Sequence, residues 1–436
     1  MLRLLVVSLL LSGWATARPL LVTLEGGPAV EAVKGGDPTG MWLKALTRFK
    51  VPAVLFVRTE RLEGGPGALG RWVASGHEIG TMGHKGVPLV REPLTEWRRD
   101  LQQSQGALAD LLARRGAKPV RTRWYRFPDL AEGSRLEHVL ATREGLRELQ
   151  LRHLDATVDR PDDTFERGYR AALAKGDKRA AAEYGADWLA AMRAFVRRAE
   201  TQGDRLAEGG EAPQILRLDL DAVGGANVEA LLAWLVRRGY RFVGPDEILK
   251  HPLFDRAHEY VARRGVSLFW RLRVSADTKA AVKEVSEALF AASEAWSRGD
   301  MDGYLSLYAE NARLVSGRTL VEGRRAIGEK YRTRYPSQAL MGRLGLTVVR
   351  LEVHTADRVS LFGQVEPLPP RFAIATVEWT LLPKGERGRA GQATLVFIKG
   401  AKGWRLIEDH SSTGVYLGSE KARPRPKPKG GKPPTK

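Results

Sequence analysis

The sequence predicts two domains: a (β/α) barrel of the α/β class, followed by an α+β domain with a curved antiparallel sheet. Three observations predict them. From Leu20 to about Trp270, short apolar stretches alternate with longer helical ones, which is typical of a mainly parallel sheet wrapped by helices. After Trp270, helical segments come first and a run of strands follows, which is typical of an α+β domain. The length of 436 residues allows two or three cores of ordinary size.

The elements of the first domain follow from its apolar runs and from the residues that stop them. Buried strands are predicted for LLVTLE, VPAVLFV, ILRLDLD and YRFV. Helices are predicted for ALGRWVASG, LTEWRRDLQQSQGALADLLARRG and VEALLAWLVRRG, each of which stops at a glycine. In such folds the functional residues lie at the carboxyl ends of the strands, so we expect the site there.

The second domain is predicted to begin with a helix. Asp277 and Thr278 form an N-cap signal. Apolar residues that recur three and four positions apart then place one face of this helix on a core; they are Val282, Val285, Leu289, Ala292 and Trp296. Strands are predicted for LGLTVVRLEVHT, RVSLFGQVE, FAIATVEWTLL, GQATLVFIKG and GWRLIEDHSS. The predicted domains are therefore residues 18–270 and 278–418, joined by a linker at 271–277.

The two ends of the chain predict export and a solvated tail. Residues 1–17 combine Arg3 with an apolar run and end in Ala15-Thr16-Ala17, which is typical of a secretory signal cleaved after Ala17. We therefore expect a periplasmic or extracellular protein. Residues 419–436 hold seven Lys or Arg against one Glu, interspersed with Pro and Gly. This segment is predicted to be a disordered basic tail.

The net charge of +19 raises the question of a polyanionic partner. About a third of the excess lies in the tail, whose expected partners in an exported protein are anionic envelope polymers or lipid headgroups. The rest is spread over helical segments such as LLARRG and FVRRAE. Because no motif with interleaved aromatic residues stands out, we expect no nucleic-acid partner. The lack of cysteine excludes thiol catalysis, disulfides and thiolate metal sites.

The segments of the first domain resemble those of polysaccharide deacetylases and occur in the same order. The resemblance covers about residues 20–270 and is carried by LVTLEGGP, RFKVPAVLFV, WVASGHEIGTMGH, RTRWYRFPDLAEG, HLDATVDRPDDTFERGYRAALAKGD and ILRLDLD. It implies hydrolysis of an acetamide or acetyl ester on a sugar polymer. It also implies a divalent metal, held by an Asp and two His of an H-x-x-x-H stretch, that activates water, and a neighbouring Asp as general base.

The positions that match the family's metal ligands carry other residues in this chain. Glu25 matches the base, which is conservatively replaced, and Gly26 matches the Asp ligand. Met82 and Gly86 match the two His; a thioether is a poor ligand for such an ion, and glycine offers no side chain. We therefore expect no metal cofactor. The alternative is that a register shift makes His84 a ligand.

Two further motifs supply the remaining candidate residues. By resemblance, Arg126 orients the catalytic carboxylate, and a bidentate contact with Glu25 is predicted. Trp124 and Asp129, in the same motif, are candidate substrate-binding residues. Asp219 matches the family's catalytic His, and a carboxyl group there acts as an acid only if burial or a like charge raises its pKa. Glu25, Arg126 and Asp219 are therefore the degenerate catalytic positions.

The second domain resembles the SnoaL-like cone fold of nuclear transport factor type. The resemblance covers about residues 278–416 and is most specific in GWRLIEDHSS. It implies a pocket used for ligands, for catalysis or for dimerisation. Asp409 and His410 are candidates for an acid/base pair in such a pocket, with hydrogen-bonded structure as the alternative. The residues predicted to line the core or the pocket are Trp296, Tyr304, Tyr308 and Trp379.

These features predict an exported, metal-free pseudoenzyme that binds a cell-envelope glycan or a related ligand. One alternative is a hydrolase with a remodelled site, in which Glu25 and Asp219, together with Asp129, act as a metal-free carboxylate pair of the kind that glycosidases use. In the opposing interpretation, these carboxylates are solvated or paired with arginine. Another alternative is a structural role, in which the second domain forms a homodimer.

Overall fold

The computed structural model describes residues 17–26, 37–62, 66–86, 89, 93–113, 122–160, 163–208, 210–261, 265–355, 357–359, 365–412 and 414–416. The chain divides into two compact units, Met1–Ser275 with Asp357–Pro367 and Ala276–Ala356 with Leu368–Lys436. Apart from Ala17, the predicted signal peptide lies outside the described residues, as does the predicted basic tail. No helix within the described ranges is both long enough and apolar enough to cross a bilayer.

The first unit alternates strands and helices, which confirms the predicted α/β class. Its strands are β1 (Arg18–Glu25), β2 (Ala53–Val57), β3 (Glu78–Thr81), β4 (Trp124–Tyr125), β5 (Arg152–His153), β6 (Gln214–Asp219) and β7 (Tyr240–Phe242). Its helices are α1 (Pro38–Arg48), α2 (Pro66–Ala74), α3 (Leu94–Ala113), α4 (Leu136–Glu148), α5 (Thr164–Lys175), α6 (Lys178–Leu206), α7 (Ala222–Arg237) and α8 (Pro245–Ile248).

The seven strands form one parallel sheet with the order β5-β4-β3-β2-β1-β6, and β7 pairs with the start of β1. The stretch of chain that forms one edge of this sheet also bonds to the opposite edge. Its beginning, β5, pairs with β4. Its end bonds to β6, because the Thr157 amide donates to the Ile215 carbonyl at 2.9 Å and the Arg217 amide donates to the Val158 carbonyl at 3.0 Å. Residues 152–158 therefore close the curled sheet into the predicted barrel.

The two faces of β1 have different surroundings. Leu20, Val22 and Leu24 pack into the main apolar core, which includes Trp42 of α1 and Leu232 of α7. Because side chains alternate along a strand, Leu21, Thr23 and Glu25 point to the opposite face, and Leu21 packs there in a separate apolar cluster. The alternation thus delivers Glu25 to the interior of the barrel at the carboxyl end of β1.

The second unit combines helices with a second sheet. Its helices are most of α9 (Leu268–Ser297), together with α10 (Met301–Leu305), α11 (Arg324–Arg334) and α12 (Gln338–Met341). Its strands are β8 (Tyr308–Ser316), β9 (Thr319–Glu322), β10 (Arg343–His354), β13 (Phe372–Leu382), β14 (Arg389–Gly400), β15 (Gly403–Ser411) and β16 (Val415–Tyr416). The short strands β11 (Asp357–Val359) and β12 (Val365–Pro367) belong to the first unit and pair with each other. They lie at the two ends of the segment predicted as the single strand RVSLFGQVE.

The sheet of the second unit has the order β10-β13-β14-β15-β8-β9, and β16 pairs with β14. All of these pairs are antiparallel except β15 with β8, which is parallel. The sheet is therefore mixed rather than purely antiparallel. Register shifts between β10 and β13 and between β14 and β15 mark irregularities of the kind that bend a sheet.

The stretch predicted as a linker is helical. α9 runs from Leu268 through residues 271–277 without a break, so the predicted N-cap at Asp277 is wrong. The physical reason is that the segment RLRVSAD contains neither glycine nor proline, and several of its residues favour a helix. Further along α9, Val285, Leu289, Ala292 and Trp296 are buried in the second core, as their spacing predicted.

Candidate functional site

The carboxylate of Glu25 is bound by a buried arginine from the neighbouring strand. Arg217 of β6 donates from Nε to Glu25 Oε1 at 2.8 Å and from Nη2 to Oε2 at 2.7 Å. Both side chains are about 5% exposed. The pair forms because Thr23 is the register partner of Arg217 and Glu25 is that of Asp219, so these four side chains share one face of the sheet.

Arg126 contacts Glu25 more weakly than predicted. Its Nη1 donates to Thr23 Oγ1 at 2.7 Å and lies 3.4 Å from Glu25 Oε1. Its other nitrogen atoms donate to the carbonyls of Leu154 and Asp155, at 3.0 and 2.9 Å. The predicted bidentate contact between Arg126 and Glu25 is therefore wrong, because backbone carbonyls and a threonine hydroxyl take most of the guanidinium. Arg217 makes the bidentate contact instead.

These contacts fix the charge of Glu25. Burial alone would raise the pKa of the carboxyl group, but the positive charges of Arg217 and Arg126 outweigh it and lower the pKa to about 2. A carboxylate with so low a pKa, whose two oxygens both accept hydrogen bonds, is a poor base at neutral pH.

Asp219 has the opposite environment, although it lies beside Glu25 in the register of β1 and β6. Although its side chain is 30% exposed, partial burial raises its pKa to about 6, against the lowering effect of Arg160 and Arg217. Arg160 Nε lies 2.9 Å from Asp219 Oδ1. Asp219 is therefore the carboxyl group of this pair that takes up a proton in mildly acidic solution.

The positions that match the family's metal ligands are shaped by glycine backbone and by Arg58. Gly26 has φ +125° and Gly86 has φ +67°, conformations that an aspartate or histidine rarely adopts. A Cβ at Gly86 would overlap the side chain of Arg58, whose Cγ would lie only 2.9 Å from it. Met82 is buried in the apolar cluster that includes Phe56. Arg58 therefore occupies the space next to Gly86 that a histidine would need.

Two candidates from the same motifs differ in accessibility. Trp124 is fully buried, and its Nε1 donates to Glu78 Oε2 at 2.7 Å. It cannot contact a glycan, so its assignment to substrate binding is wrong. Asp129, by contrast, has a side chain that is 65% exposed, and its Oδ1 lies 3.8 Å from Arg217 Nη2.

His84 forms a local contact, with its Nδ1 2.9 Å from Thr59 Oγ1. It is not part of any group of three metal-ligating side chains that the described residues contain. One such group occurs, formed by Glu132, His153 and Asp155. In this group Arg271 contacts both Glu132 and Asp155, so a buried guanidinium already supplies one positive charge to the two carboxylates. Burial also lowers the pKa of His153 well below its usual value.

Sequence reasoning missed Arg217, Arg58 and the buried pairs of Arg271. A signal for Arg217 was present, because it stands two residues before Asp219 on one strand and therefore shares its face. Arg58 directly follows β2, but its place beside Gly86 depends on tertiary packing. The pairing of Arg271 joins residues more than a hundred positions apart in the chain, and no local pattern indicates it.

Asp409 and His410, the predicted acid/base pair of the second unit, lie on opposite faces of β15. Asp409 is 4% exposed, whereas His410 is exposed, because consecutive strand residues point to opposite faces. The predicted acid/base pair within one pocket is therefore wrong. Asp409 accepts hydrogen bonds from Tyr308 Oη and Ser411 Oγ, both at 2.5 Å, and burial raises its pKa.

Asp409 lines a cavity of about 150 Å³ in the second unit. The aromatic residues at this cavity include the four that the sequence predicted for the core or the pocket; they are Trp296, Tyr304, Tyr308, Tyr331, Tyr335 and Trp379. Trp296 is also part of the apolar core and meets three of the tyrosine rings edge-on. Core and pocket are thus continuous here.

Comparisons with known proteins identify one domain. A family model for polysaccharide deacetylases matches residues 16–147, which confirms the predicted resemblance over that part of the N-terminal unit. No curated protein matches the chain.

Three solved structures illustrate the similarities of the fold. A CE4 family pseudoenzyme from Bacillus anthracis is 15% identical over 53% of this chain and 66% of that protein, with a TM-score of 0.37. The peptidoglycan deacetylase PdaC from Bacillus subtilis is 17% identical over 54% and 91%, with a TM-score of 0.35. An NTF-2-like protein of unknown function from Shewanella oneidensis MR-1 is 25% identical over 30% and 98%, with a TM-score of 0.25. Similarities at this level do not assign a function.

Proposed function

We propose that the polysaccharide deacetylase domain of this chain is a pseudoenzyme, which binds a cell-envelope glycan without a metal cofactor and does not deacetylate it. The observation that carries this proposal is the bidentate contact of Arg217 with Glu25. The family resemblance implies that a carboxylate at this position takes a proton from water. In this chain both carboxylate oxygens accept hydrogen bonds from arginine, and the pKa of about 2 leaves Glu25 little tendency to accept that proton.

The environment of the metal positions supports the same proposal. Gly26 lacks a side chain to coordinate an ion, and Arg58 lies where a side chain at position 86 would extend. Metal activation lowers the pKa of bound water from 15.7 to about 7. Without a metal ion, the site lacks the main means of generating hydroxide as the nucleophile for hydrolysis of an acetamide.

The binding part of the proposal is supported by polar side chains that surround the buried pair and remain accessible. The side chains of Asp159 and Arg160 are each 23% exposed, that of Asp219 is 30% exposed, and Asp129 is more exposed still. Carboxylates and guanidinium groups bind the hydroxyl groups and amide oxygens of sugars through hydrogen bonds. We propose that Asp129 and Asp159 contact the glycan.

Export belongs to the proposal as well. It is supported by the signal-like pattern of residues 1–17, and the basic tail at residues 419–436 would attract the protein to anionic polymers or lipid headgroups. Retention of the mature chain in the cytoplasm would overturn this part of the proposal.

The test uses the purified mature chain with N-acetylglucosamine oligomers and with insoluble peptidoglycan. We expect saturable binding by calorimetry or by sedimentation, no release of acetate, and no stoichiometric zinc by elemental analysis. Asp129→Ala should weaken binding by roughly threefold to tenfold, which corresponds to one hydrogen bond. Glu183→Gln, on the exposed surface of α6, is the matched control and should leave binding unchanged. Zinc together with acetate release, or no binding to either glycan, would overturn the proposal.

A second candidate function is hydrolysis of a glycosidic bond with Asp219 as the acid. The observation that favours it is the difference in pKa between neighbouring carboxyl groups, about 6 for Asp219 and about 2 for Glu25, since glycosidases separate two carboxyl groups in this way. The arginine contacts of Glu25 oppose it. Release of reducing ends that is insensitive to chelators and lost in Asp219→Asn would favour this function over pure binding.

A further inference from the structure

The cavity of the second unit has an acidic part that lacks a fixed counterion. Asp409 is almost fully buried and accepts one hydroxyl hydrogen bond on each carboxylate oxygen. Within the described part of the chain, no lysine or arginine forms an ion pair with it. A buried carboxylate is costly without a cation or a full set of donors, so this end of the cavity is complementary to a ligand that brings a positive charge.

The same cavity also has a basic part. Arg389 is half-buried and donates to Tyr335 Oη at 3.1 Å, and the exposed Arg334 lines the cavity nearby. Neither guanidinium takes part in an ion pair within the described residues. This end of the cavity is therefore complementary to an anionic group.

The acidic and basic parts lie on one face of the sheet, at a separation set by β14. Arg389 and Leu395 both line the cavity, and Leu395 is the register partner of Asp409. Six residues along an antiparallel strand span about 20 Å, and Arg389 and Asp409 both line the one cavity. A ligand that reaches both charges therefore carries its charged groups at opposite ends.

The middle of the cavity is aromatic and contains an unused donor. Trp379 Nε1 is buried and has no hydrogen-bond partner among the described residues. Its indole ring lies against Gly391 and Gly414, and a Cβ at either glycine would overlap the ring. Close packing against bare backbone holds the ring in place. Buried donors are nearly always paired, so this N–H is available to an acceptor on a ligand.

We propose that this cavity binds a small amphoteric molecule with a body of about one aromatic ring, an ammonium group that contacts Asp409, and a carboxylate or similar anion that contacts Arg389. A cavity of about 150 Å³ holds one benzene-sized ring, and aromatic walls also favour the cation. The proposal does not depend on glycan binding by the first unit.

The test compares four probes on the full chain: 4-(aminomethyl)benzoate, benzylamine, benzoate and toluene. Binding is followed by calorimetry and by the fluorescence of the tryptophans, two of which, Trp296 and Trp379, line the cavity. We expect 4-(aminomethyl)benzoate to bind at least roughly tenfold more tightly than either singly charged probe, since each charged hydrogen bond is worth about a factor of ten. Equal affinity for all four probes, or no saturable binding of any at millimolar concentration, would overturn the proposal.

Two variants assign the ends of the ligand. Asp409→Asn should weaken the amine-containing probes and leave benzoate unchanged, whereas Arg389→Gln should weaken the carboxylate-containing probes and leave benzylamine unchanged. His410→Asn and Arg387→Gln change neighbouring exposed residues and are the matched controls. If Asp409→Asn fails to fold, Arg389→Gln alone decides the outcome, and unchanged benzoate binding in it would count against the proposal.

Discussion

Arg217 and Glu25 form a closed pair inside the barrel, in which Nε and Nη2 of the guanidinium lie 2.8 and 2.7 Å from the two carboxylate oxygens. Arg217 Nη1 reaches further, to Asp159 Oδ1 at 2.8 Å. A guanidinium that binds two carboxylates in this way is a fixed organic cation at the carboxyl ends of two neighbouring strands. Its positive charge stabilises the buried carboxylate of Glu25.

Removing the charge of Glu25 should destabilise the first unit. Glu25→Gln replaces the carboxylate of the buried bidentate pair by a neutral amide, while Arg217 keeps its contact with Asp159. Breaking a buried pair from one side costs about 3 to 5 kcal/mol of unfolding free energy. The lowering of the Glu25 pKa from 4.5 to about 2 corresponds to roughly 3 kcal/mol, at about 1.4 kcal/mol for each pKa unit. Urea denaturation measures the change. Glu183→Gln, in an exposed pair, should change stability by less than about 1 kcal/mol, and a similar loss in both variants would contradict the prediction.

Stability should depend on pH in opposite directions through the two carboxyl groups. The pKa of Glu25 is lowered, so its contribution is present above about pH 4.5 and is lost as the pH falls toward 2. The pKa of Asp219 is raised from 3.8 to about 6, so its contribution is present below pH 3.8 and is lost as the pH rises through 6.

Chemical denaturation at several pH values tests these signs. Relative to the wild type, Asp219→Asn should be least stable near pH 4 and should regain stability between pH 4 and 7. Glu25→Gln should approach the wild type in stability as the pH falls below 4. A difference between Asp219→Asn and the wild type that stays constant from pH 4 to 7 would show that Asp219 titrates normally.

Removing Arg58 should strengthen zinc binding in a variant that carries restored metal ligands. The triple variant Gly26→Asp, Met82→His, Gly86→His introduces the residue types that the family resemblance implies, but a side chain at position 86 overlaps Arg58. We expect the additional change Arg58→Ser to raise zinc affinity by roughly tenfold or more, since removal of one cation and one overlap is worth over 1.4 kcal/mol. Competition with a chromophoric chelator measures the affinity. Equal zinc affinity with and without Arg58 would show that its side chain is not the obstacle.

The second unit should form a homodimer through the outer face of its sheet. Phe372 and Ile398 are register partners on β13 and β14 and are 38% and 45% exposed, and exposed apolar side chains on one sheet face favour association. Ile398→Asp should convert a dimer of the full chain into a monomer in light scattering without lowering its melting temperature. Phe290→Asp, on α9 and 69% exposed, is the control. A monomeric wild type would exclude dimerisation.

The sequence predicted best those features that depend on the order and spacing of neighbouring residues. The end of β1 and the presence of Glu25 there were visible in the apolar run and its Gly-Gly-Pro stop, and the stripe on α9 was visible in its spacing. The start of α9 was missed, because the stretch before Asp277 has ordinary helix propensity and no residue that ends a helix.

The parts of the site that were missed are set by tertiary structure. Arg126 was expected to hold Glu25, but the carbonyls of Leu154 and Asp155 compete for its guanidinium, and that competition exists only in the folded chain. Trp124 was expected to bind substrate, as part of the motif that also supplies Arg126 and Asp129. In this chain its indole donates to Glu78 and the core encloses it.

Residues 152–158, which bond to both edges of the first sheet, have a consequence for the order of folding. Thr157 pairs with Ile215, which lies 58 positions further along the chain, and α5 and α6 lie between them. These helices must therefore be in place, or be looped out at an entropic cost, before the last edge can join. Closure therefore depends on contacts that are distant in sequence, the kind that form slowly. We expect the amide of Arg217, which bonds to Val158, to gain protection from hydrogen exchange late in refolding, after the helices have formed.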